Sequence, residues 1–151
     1  MRRSSVILFL SIATSTPCIA NECLSQSELY HMSRMAVVGG TGLALNACAK
    51  CLGPEKHEDS KRNFEAANLL TDFRKSQSAI GGLTQAKTDY VNSLLRPYLA
   101  LYGRDLSVNC EACSKTASAI EAMALASEAR ETTYRMGMTD LASSPEFRAC
   151  P

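Results

Sequence analysis

Apolar positions recur at helical spacing along four segments of the chain, and the alternation typical of strands is almost absent. The first segment opens with Leu24-Ser25-Gln26-Ser27-Glu28-Leu29, in which Ser25 and Glu28 fit a capping box. Its apolar and small residues then lie three or four positions apart, at Leu29, Met32, Ala36, Gly40, Leu43, Ala47 and Cys51. This pattern predicts a helix that ends at Gly53-Pro54.

Three further segments follow the same periodicity. The second is predicted over residues 55–80, and its charged outer face of mixed sign is typical of a solvated helix surface. The third begins after Thr84 and contains Pro97, which is expected to kink or split the helix. The fourth begins at Asn109, an acceptable N-cap, and continues to about Met138.

Four helices joined by short connections predict an all-α fold, an up-down-up-down four-helix bundle cross-linked by disulfides. The bundle is expected to occupy residues 21–151 as one domain. Residues 1–20 fit a secretory signal peptide, because Arg2 and Arg3 precede an apolar run and Ala20 ends a small-residue cleavage site. The mature protein is therefore expected in the periplasm or outside the cell.

The signal peptide changes both the cysteine count and the charge. Cleavage after Ala20 removes Cys18 and leaves six of the seven cysteines, an even number that favours disulfides in an oxidising compartment. It also removes two arginines and no acidic residue, so the formal net charge changes from +1 to −1. Without a basic excess, nucleic acid is not expected as a partner. The longest uncharged apolar run, Met35 to Ala49, is shorter than the roughly 20 residues that cross a bilayer, so stable membrane insertion is not expected either.

The spacing of the cysteines predicts how they pair. Cys48 and Cys113 lie equally far along the chain from the break at Ile80-Gly81, and so do Cys51 and Cys110. Residues three apart share a face of a helix, so two antiparallel helices could be joined twice at one end of the bundle. Cys23 at the start of the first helix and Cys150 after the fourth lie at the other end of such a bundle. The resulting hypothesis comprises the bonds Cys48–Cys113, Cys51–Cys110 and Cys23–Cys150.

The stretch Val37 to Cys51 places three glycines inside the first predicted helix, where each costs about 0.5–1 kcal/mol relative to alanine. Close packing against the small residues of the fourth helix would offset that cost. We expect Ala44 to face Ala117 and Ala36 to face Leu125, which would make the first and last helices the tightest pair. Gly40→Leu is then expected to lower the melting temperature sharply.

The same stretch has three chemical interpretations. A glycine-rich phosphate loop is disfavoured, because the sixth position of G-x-G-x-x-G is Leu45 and no strand precedes it. The two C-x-x-C motifs could be thiol-redox pairs, but the first lies at a helix end and Glu111 disfavours a thiolate in the second. Their four cysteines could also hold zinc, although oxidation competes with zinc in an exported protein. Structural disulfides are the favoured interpretation.

Soft ligands provide a second candidate metal site, for copper. In the predicted bundle they lie near one end of the first and fourth helices. The candidate ligands are His31, Met32, Met35, Met136 and Met138. Methionines at helical spacing more often fill a core, so the favoured prediction contains no cofactor.

Catalytic motifs are missing from the sequence. The only histidines are His31 and His57, and the chain contains neither G-x-S-x-G nor HExxH, so no enzyme and no catalytic residue is predicted. We predict an exported, non-enzymatic protein-binding module, such as an inhibitor, an immunity-type protein or an accessory protein of envelope machinery. Its partner is another protein, and the candidate contact residues are Tyr98 and Tyr102 beside Pro97. The alternative is a periplasmic copper- or zinc-binding or thiol-redox protein that uses the C-x-x-C pairs.

Overall fold

The first helix, α1, begins where its capping residues predict. The computed structural model describes residues 23–104 and 109–151, with side chains for 23–100 and 109–151, so the predicted signal peptide lies outside the described residues. Helix α1 spans Gln26–Ala47. The Glu28 N–H donates to Ser25 Oγ at 3.2 Å, and the Ser25 N–H donates to Glu28 Oε2 at 2.8 Å. The predicted capping box is therefore present.

Five more helices follow α1. They are α2 (Ala49–Ala66), α3 (Leu69–Ala79), α4 (Gln85–Arg104), α5 (Cys110–Leu125) and α6 (Ser127–Ala142). The described residues contain no β-strand, only an isolated parallel bridge between Leu24 and Ala149. The prediction of an all-α fold is thus confirmed. The up-down-up-down four-helix topology is not confirmed, because the four predicted segments form six helices.

The first unpredicted break separates α1 from α2. Helix α1 ends at Ala47 with Cys48 as its C-cap, and the axes of α1 and α2 are bent by 114°. Gly53, predicted to end the first helix, lies inside α2 with a non-helical φ of 74° and ψ of 167°. Gly53-Pro54 therefore interrupts α2, and Pro54 starts its longer piece with a φ suited to a first helical turn.

Two further breaks divide the second and fourth predicted segments. Asn68 adopts the left-handed conformation (φ 54°) between α2 and α3, which asparagine tolerates better than most residues. Ala126 is extended (φ −141°, ψ 125°) between α5 and α6. Pro97, expected to kink or split the third segment, does not split it, because α4 continues through it to Arg104.

Helix α1 lies at the centre of the packing. It contacts each of the other five helices, while α2 packs mainly against α5. One buried cluster, at the α1–α3–α5–α6 contacts, comprises Val37, Val38, Leu45, Ala67, Leu69, Ile120, Met123 and Tyr134. The other, at the α1–α4–α6 contacts, comprises Leu24, Leu29, Met32, Ala36, Val91, Leu94 and Leu141.

Three disulfides cross-link these helices in the pairs that the spacing predicts. They are Cys23–Cys150, Cys48–Cys113 and Cys51–Cys110, with Cα–Cα distances of 4.9, 5.4 and 5.0 Å. The last two join the α1–α2 junction to the start of α5. The first lies at the other end of α1, about 33 Å away along a helix of 22 residues.

The expected contact between Ala36 and Leu125 is wrong. Ala36 packs in the cluster that contains Leu141 of α6, whereas Leu125 is 81% exposed. The break at Ala126 is the reason, because α6 rather than α5 packs against the middle of α1. The stripe of Ala36, Gly40, Ala44 and Cys48 is nevertheless buried.

Among the described residues, no single helix is long and apolar enough to cross a bilayer. Helices α1 and α2 reach that length and composition only when they are taken together across their bend.

Candidate functional site

The candidate binding site is an apolar groove between α5 and α6, with α1 as its floor and α4 at its edge. Its volume is about 200 Å³. The residues from α5 and from α6 recur about once per helical turn, so each set shares one face of its helix. The lining residues are Val37, Thr41, Tyr98, Thr116, Ala119, Met123, Thr133, Met136, Gly137 and Asp140.

A glycine on α6 shapes the floor of this groove. A Cβ atom added to Gly137 would lie 2.5 Å from Ser33 Oγ and 3.0 Å from Val37 Cγ2. The fully buried Ser33 hydroxyl in turn donates to the backbone carbonyl of Tyr134. Helix α6 therefore approaches α1 closely at Gly137, beside Val37 in the lining of the groove.

Two methionines line the groove in different environments. Met123 is 2% exposed and belongs to the core, whereas Met136 is 63% exposed at the groove. Thioether side chains are flexible and polarizable, so they adapt to apolar partners of different shape. Met136 can thus contribute contact area to a bound side chain, while Met123 supplies a fixed part of the α5 wall.

The polar lining is engaged mainly within its own helices. Thr116 Oγ1 donates to the Ala112 carbonyl at 3.0 Å, and Thr133 Oγ1 donates to the Ala129 carbonyl at 2.8 Å. These hydroxyls therefore offer no free donor to a ligand. Asp140 is exposed, and within the described part of the chain it is the one charged residue in the lining.

One of the two predicted partner-contact residues lies at this site. Tyr98 is half-buried and lines the groove from α4. Tyr102 belongs to the same helix, but its side chain lies outside the described residues. Sequence reasoning missed the α5 and α6 walls, since they form only when the chain breaks at Ala126.

The predicted copper ligands have different environments. Met32 is fully buried in the core, and Met138 packs against the same cluster. His31 Nδ1 lies 3.2 Å from Ser76 Oγ, and its ring packs edge-on against Tyr30. Met35 is half-buried on α1, and Met136 lines the groove. Within residues 23–100 and 109–151, no three or more His, Cys, Asp or Glu side chains could together hold a metal ion.

Neither C-x-x-C motif forms a disulfide between its own two cysteines. Cys48 is bonded to Cys113 and Cys51 to Cys110, so each bond joins one motif to the other. Zinc ligation and nucleophilic thiol exchange both require thiolates, and in this disulfide-bonded state none of the four sulfur atoms is a thiolate.

A partly buried polar cluster, also missed from the sequence, links α3 and α6 to α1. Arg34 Nη2 pairs with Asp72 Oδ1 at 2.6 Å, and the Tyr134 hydroxyl donates to Asp72 Oδ2 at 2.9 Å. The Arg34 guanidinium also lies 5.5 and 5.3 Å from the ring centres of Tyr30 and Tyr134, within cation–π range. The one sequence signal was an isolated arginine within the apolar pattern of α1.

The tyrosines of this cluster are held in their protonated form. Burial raises the pKa of Tyr134 well above its usual value, and the hydrogen bond to Asp72 raises it further. Burial and the hydrogen bond to Glu131 at 2.7 Å likewise raise the pKa of Tyr30. Both phenols are therefore protonated near neutral pH and donate hydrogen bonds to carboxylates.

Comparison with known proteins adds no relative. No family model matches the chain, and no curated protein or solved structure matches it significantly.

Proposed function

We propose that this chain is an exported, non-enzymatic protein-binding module whose α5–α6 groove holds one large apolar side chain of a partner protein. The observation that carries the proposal is the groove itself, an apolar recess with the exposed Met136 in its lining. Anchors of this kind, buried in a preformed pocket, contribute much of the binding energy at protein interfaces.

The size of the groove supports a side chain as the occupant. Sites for small molecules usually measure about 300–1,000 Å³, whereas this groove measures about 200 Å³. The two larger charged depressions, between α2 and α5 and around Arg34, are lined mainly by charged and polar side chains. They are less suited to an apolar anchor.

The proposal assigns no catalytic role to either histidine, since both are hydrogen-bonded within the protein. His31 is hydrogen-bonded to Ser76, and His57 Nε2 donates to the Leu45 carbonyl at 3.1 Å. Each ring therefore has a structural partner. Export is supported by the predicted signal peptide and by three disulfides, which persist in oxidising compartments. Inhibitors, immunity-type proteins and accessory subunits of envelope machinery all fit such a module.

Site-specific photo-crosslinking in the native host tests the proposal. A photoreactive phenylalanine analogue replaces Met136 in one strain and Leu70 in another. Leu70 is a matched control, because it is an exposed apolar residue (53%) on α3, outside the groove. We expect a discrete protein adduct from position 136 and not from position 70.

A second pair of variants shows whether the adduct depends on the groove. Ala119→Arg places a long charged side chain in the groove, whereas Ala122→Arg places it on an exposed position of the same helix outside the lining. The adduct should disappear with Ala119→Arg and persist with Ala122→Arg. Equal adducts from positions 136 and 70, or an adduct insensitive to Ala119→Arg, would refute the proposal.

A further inference from the structure

The position of Asp140 is locally unfavourable. It lies in the last turn of α6, where the helix dipole disfavours negative charge, and that turn contains no basic residue. The two arginines of α6 form ion pairs with other acidic residues, Arg130 with Asp72 and Arg135 with Glu131. In the part of the chain that the structure describes, the Asp140 carboxylate forms no ion pair.

Asp140 lies in the groove lining, so a bound partner could supply the cation that compensates its charge. Among the lining residues that the structure describes, Asp140 is the only charged one and none is basic. It lies one helical turn beyond Met136, about 6 Å along the axis of α6. A carboxylate beside an apolar surface attracts a cation more strongly than one surrounded by water. A residue that breaks a local rule without an internal compensation is a candidate functional residue.

We infer that Asp140 selects the partner, so that the groove takes a segment whose large apolar side chain is accompanied by a lysine or arginine. This inference rests on the proposed function and names the chemistry of the partner. The cation lies within about two residues of the anchor in an extended segment, or one turn away in a helical segment. Asp140 thus adds specificity to a groove that is otherwise apolar.

Selection from a random peptide library tests this inference with the oxidised mature protein, residues 21–151. We expect the selected peptides to contain a large apolar residue with a lysine or arginine at the stated spacing. A synthetic consensus peptide should bind the Asp140→Asn variant about tenfold more weakly and the Asp140→Glu variant nearly as well as wild type. Binding to wild type should weaken with salt, and binding to Asp140→Asn should not. Asp89→Asn, an exposed change on α4, is the control and should leave the affinity unchanged.

Thermal unfolding of the same variants separates recognition from structure. Because Asp140 is unfavourable at the end of α6, Asp140→Asn should melt at the same temperature as wild type or higher. A lower melting temperature would mean that Asp140 has a structural role, and the inference would be wrong.

The remaining outcomes distinguish the inference from the proposed function. Peptides that lose binding with Ala119→Arg but lack a basic residue would overturn the inference and leave the proposed function standing. Peptides insensitive to Ala119→Arg, or none at all, would overturn both. A dimer in solution that Ala119→Arg dissociates would identify the occupant as a second copy of this chain, which also contradicts the inference.

Discussion

The junction of α1, α2 and α5 and the face covered by α4 are held in opposite ways. Two disulfides three residues apart join the junction, and Cys48 and Cys113 are fully buried there. Helix α4 contains no cysteine and contacts only α1 and α6 among the described helices. It is held by Val91 and Leu94 in the core and by an ion pair between Lys87 and Glu28.

This difference shows where the molecule can move at low cost. Opening the junction requires breaking covalent bonds or unfolding the chain around them, whereas opening α4 requires only the loss of side-chain contacts. Elements with few buried contacts are the first to open locally. Tyr98 of α4 lines the groove, so the edge of the proposed binding site belongs to the more weakly held region.

Removing both junction disulfides should have the largest effect. When one bond remains, the other closes only a ring of a few residues, so Cys48→Ala/Cys113→Ala should lower the free energy of unfolding by about 2.5 kcal/mol. The fourfold alanine variant also opens the long loop between the two motifs, so it should lower that free energy by about 7 kcal/mol. The loss is thus more than additive. Urea unfolding under non-reducing conditions measures these values. Equal losses for one bond and for both would contradict the comparison.

Leu94→Ala should weaken α4 without opening the junction. Leu94 is 3% exposed, and truncating a buried leucine typically costs about 2–4 kcal/mol. Hydrogen exchange should accelerate in residues 85–100 and stay unchanged in α2 and α5. Arg96→Ala, at an exposed position of the same helix, should change neither. Uniform acceleration across all helices would show that α4 does not open independently.

Gly137→Ala tests the close non-covalent contact between α6 and α1. The new methyl group would overlap Ser33 Oγ, so we expect a loss of about 1–3 kcal/mol. Gly39→Ala on α1 is the matched control, because its nearest neighbour would lie 3.9 Å away, in ordinary contact. Alanine is the better helix former, so Gly39→Ala should stabilise by about 0.5–1 kcal/mol. Similar melting temperatures for the two variants would show that the α1–α6 contact is not tight.

The ion pair between Lys87 and Glu28 should have the smallest effect, at most about 1 kcal/mol. Burial acts to raise the pKa of Glu28, but hydrogen bonds from Lys87 and Ser25 lower it more, so it lies below the ordinary 4.5. A lowered pKa means that the folded protein favours the ionised form. The stabilisation is therefore full at neutral pH and declines as the pH falls through 4.5 and then through the lower folded value.

Comparison of wild type with Lys87→Gln measures this contribution. The difference in unfolding free energy should be constant from pH 7 to about pH 5.5 and shrink below pH 4.5. A difference that grew on acidification would contradict the assigned role of Glu28.

The parts of the fold that depend on neighbouring residues were predictable from the sequence. The capping box at Ser25 and Glu28 involves residues three apart, and the structure contains it. Asn68 offered only a weak signal, because asparagine tolerates the left-handed conformation without requiring it. Ala126 offered none, since neither glycine nor proline lies there and tertiary packing sets the break.

The candidate site was less predictable from the sequence, because it depends on contacts between residues far apart in the chain. The disulfide pairing follows from the spacing because it requires only that residues 48–51 meet residues 110–113, whichever topology connects them. The groove requires the break at Ala126, so the sequence proposed Tyr98 without the walls contributed by Met123 and Met136. Arg34 and Asp72 are 38 positions apart, and no local pattern indicates that they pair.

The bond between Cys23 and Cys150 also prevents a single proteolytic cut from separating the chain into two fragments. These residues lie almost at the two ends of the described chain, 127 positions apart. A single cut anywhere between them leaves both fragments covalently joined, as a nick in a closed ring would. Loss of a piece needs a second cut, so a protein nicked in an exposed connection keeps all its helices attached. On a gel, the nick should become visible only after reduction.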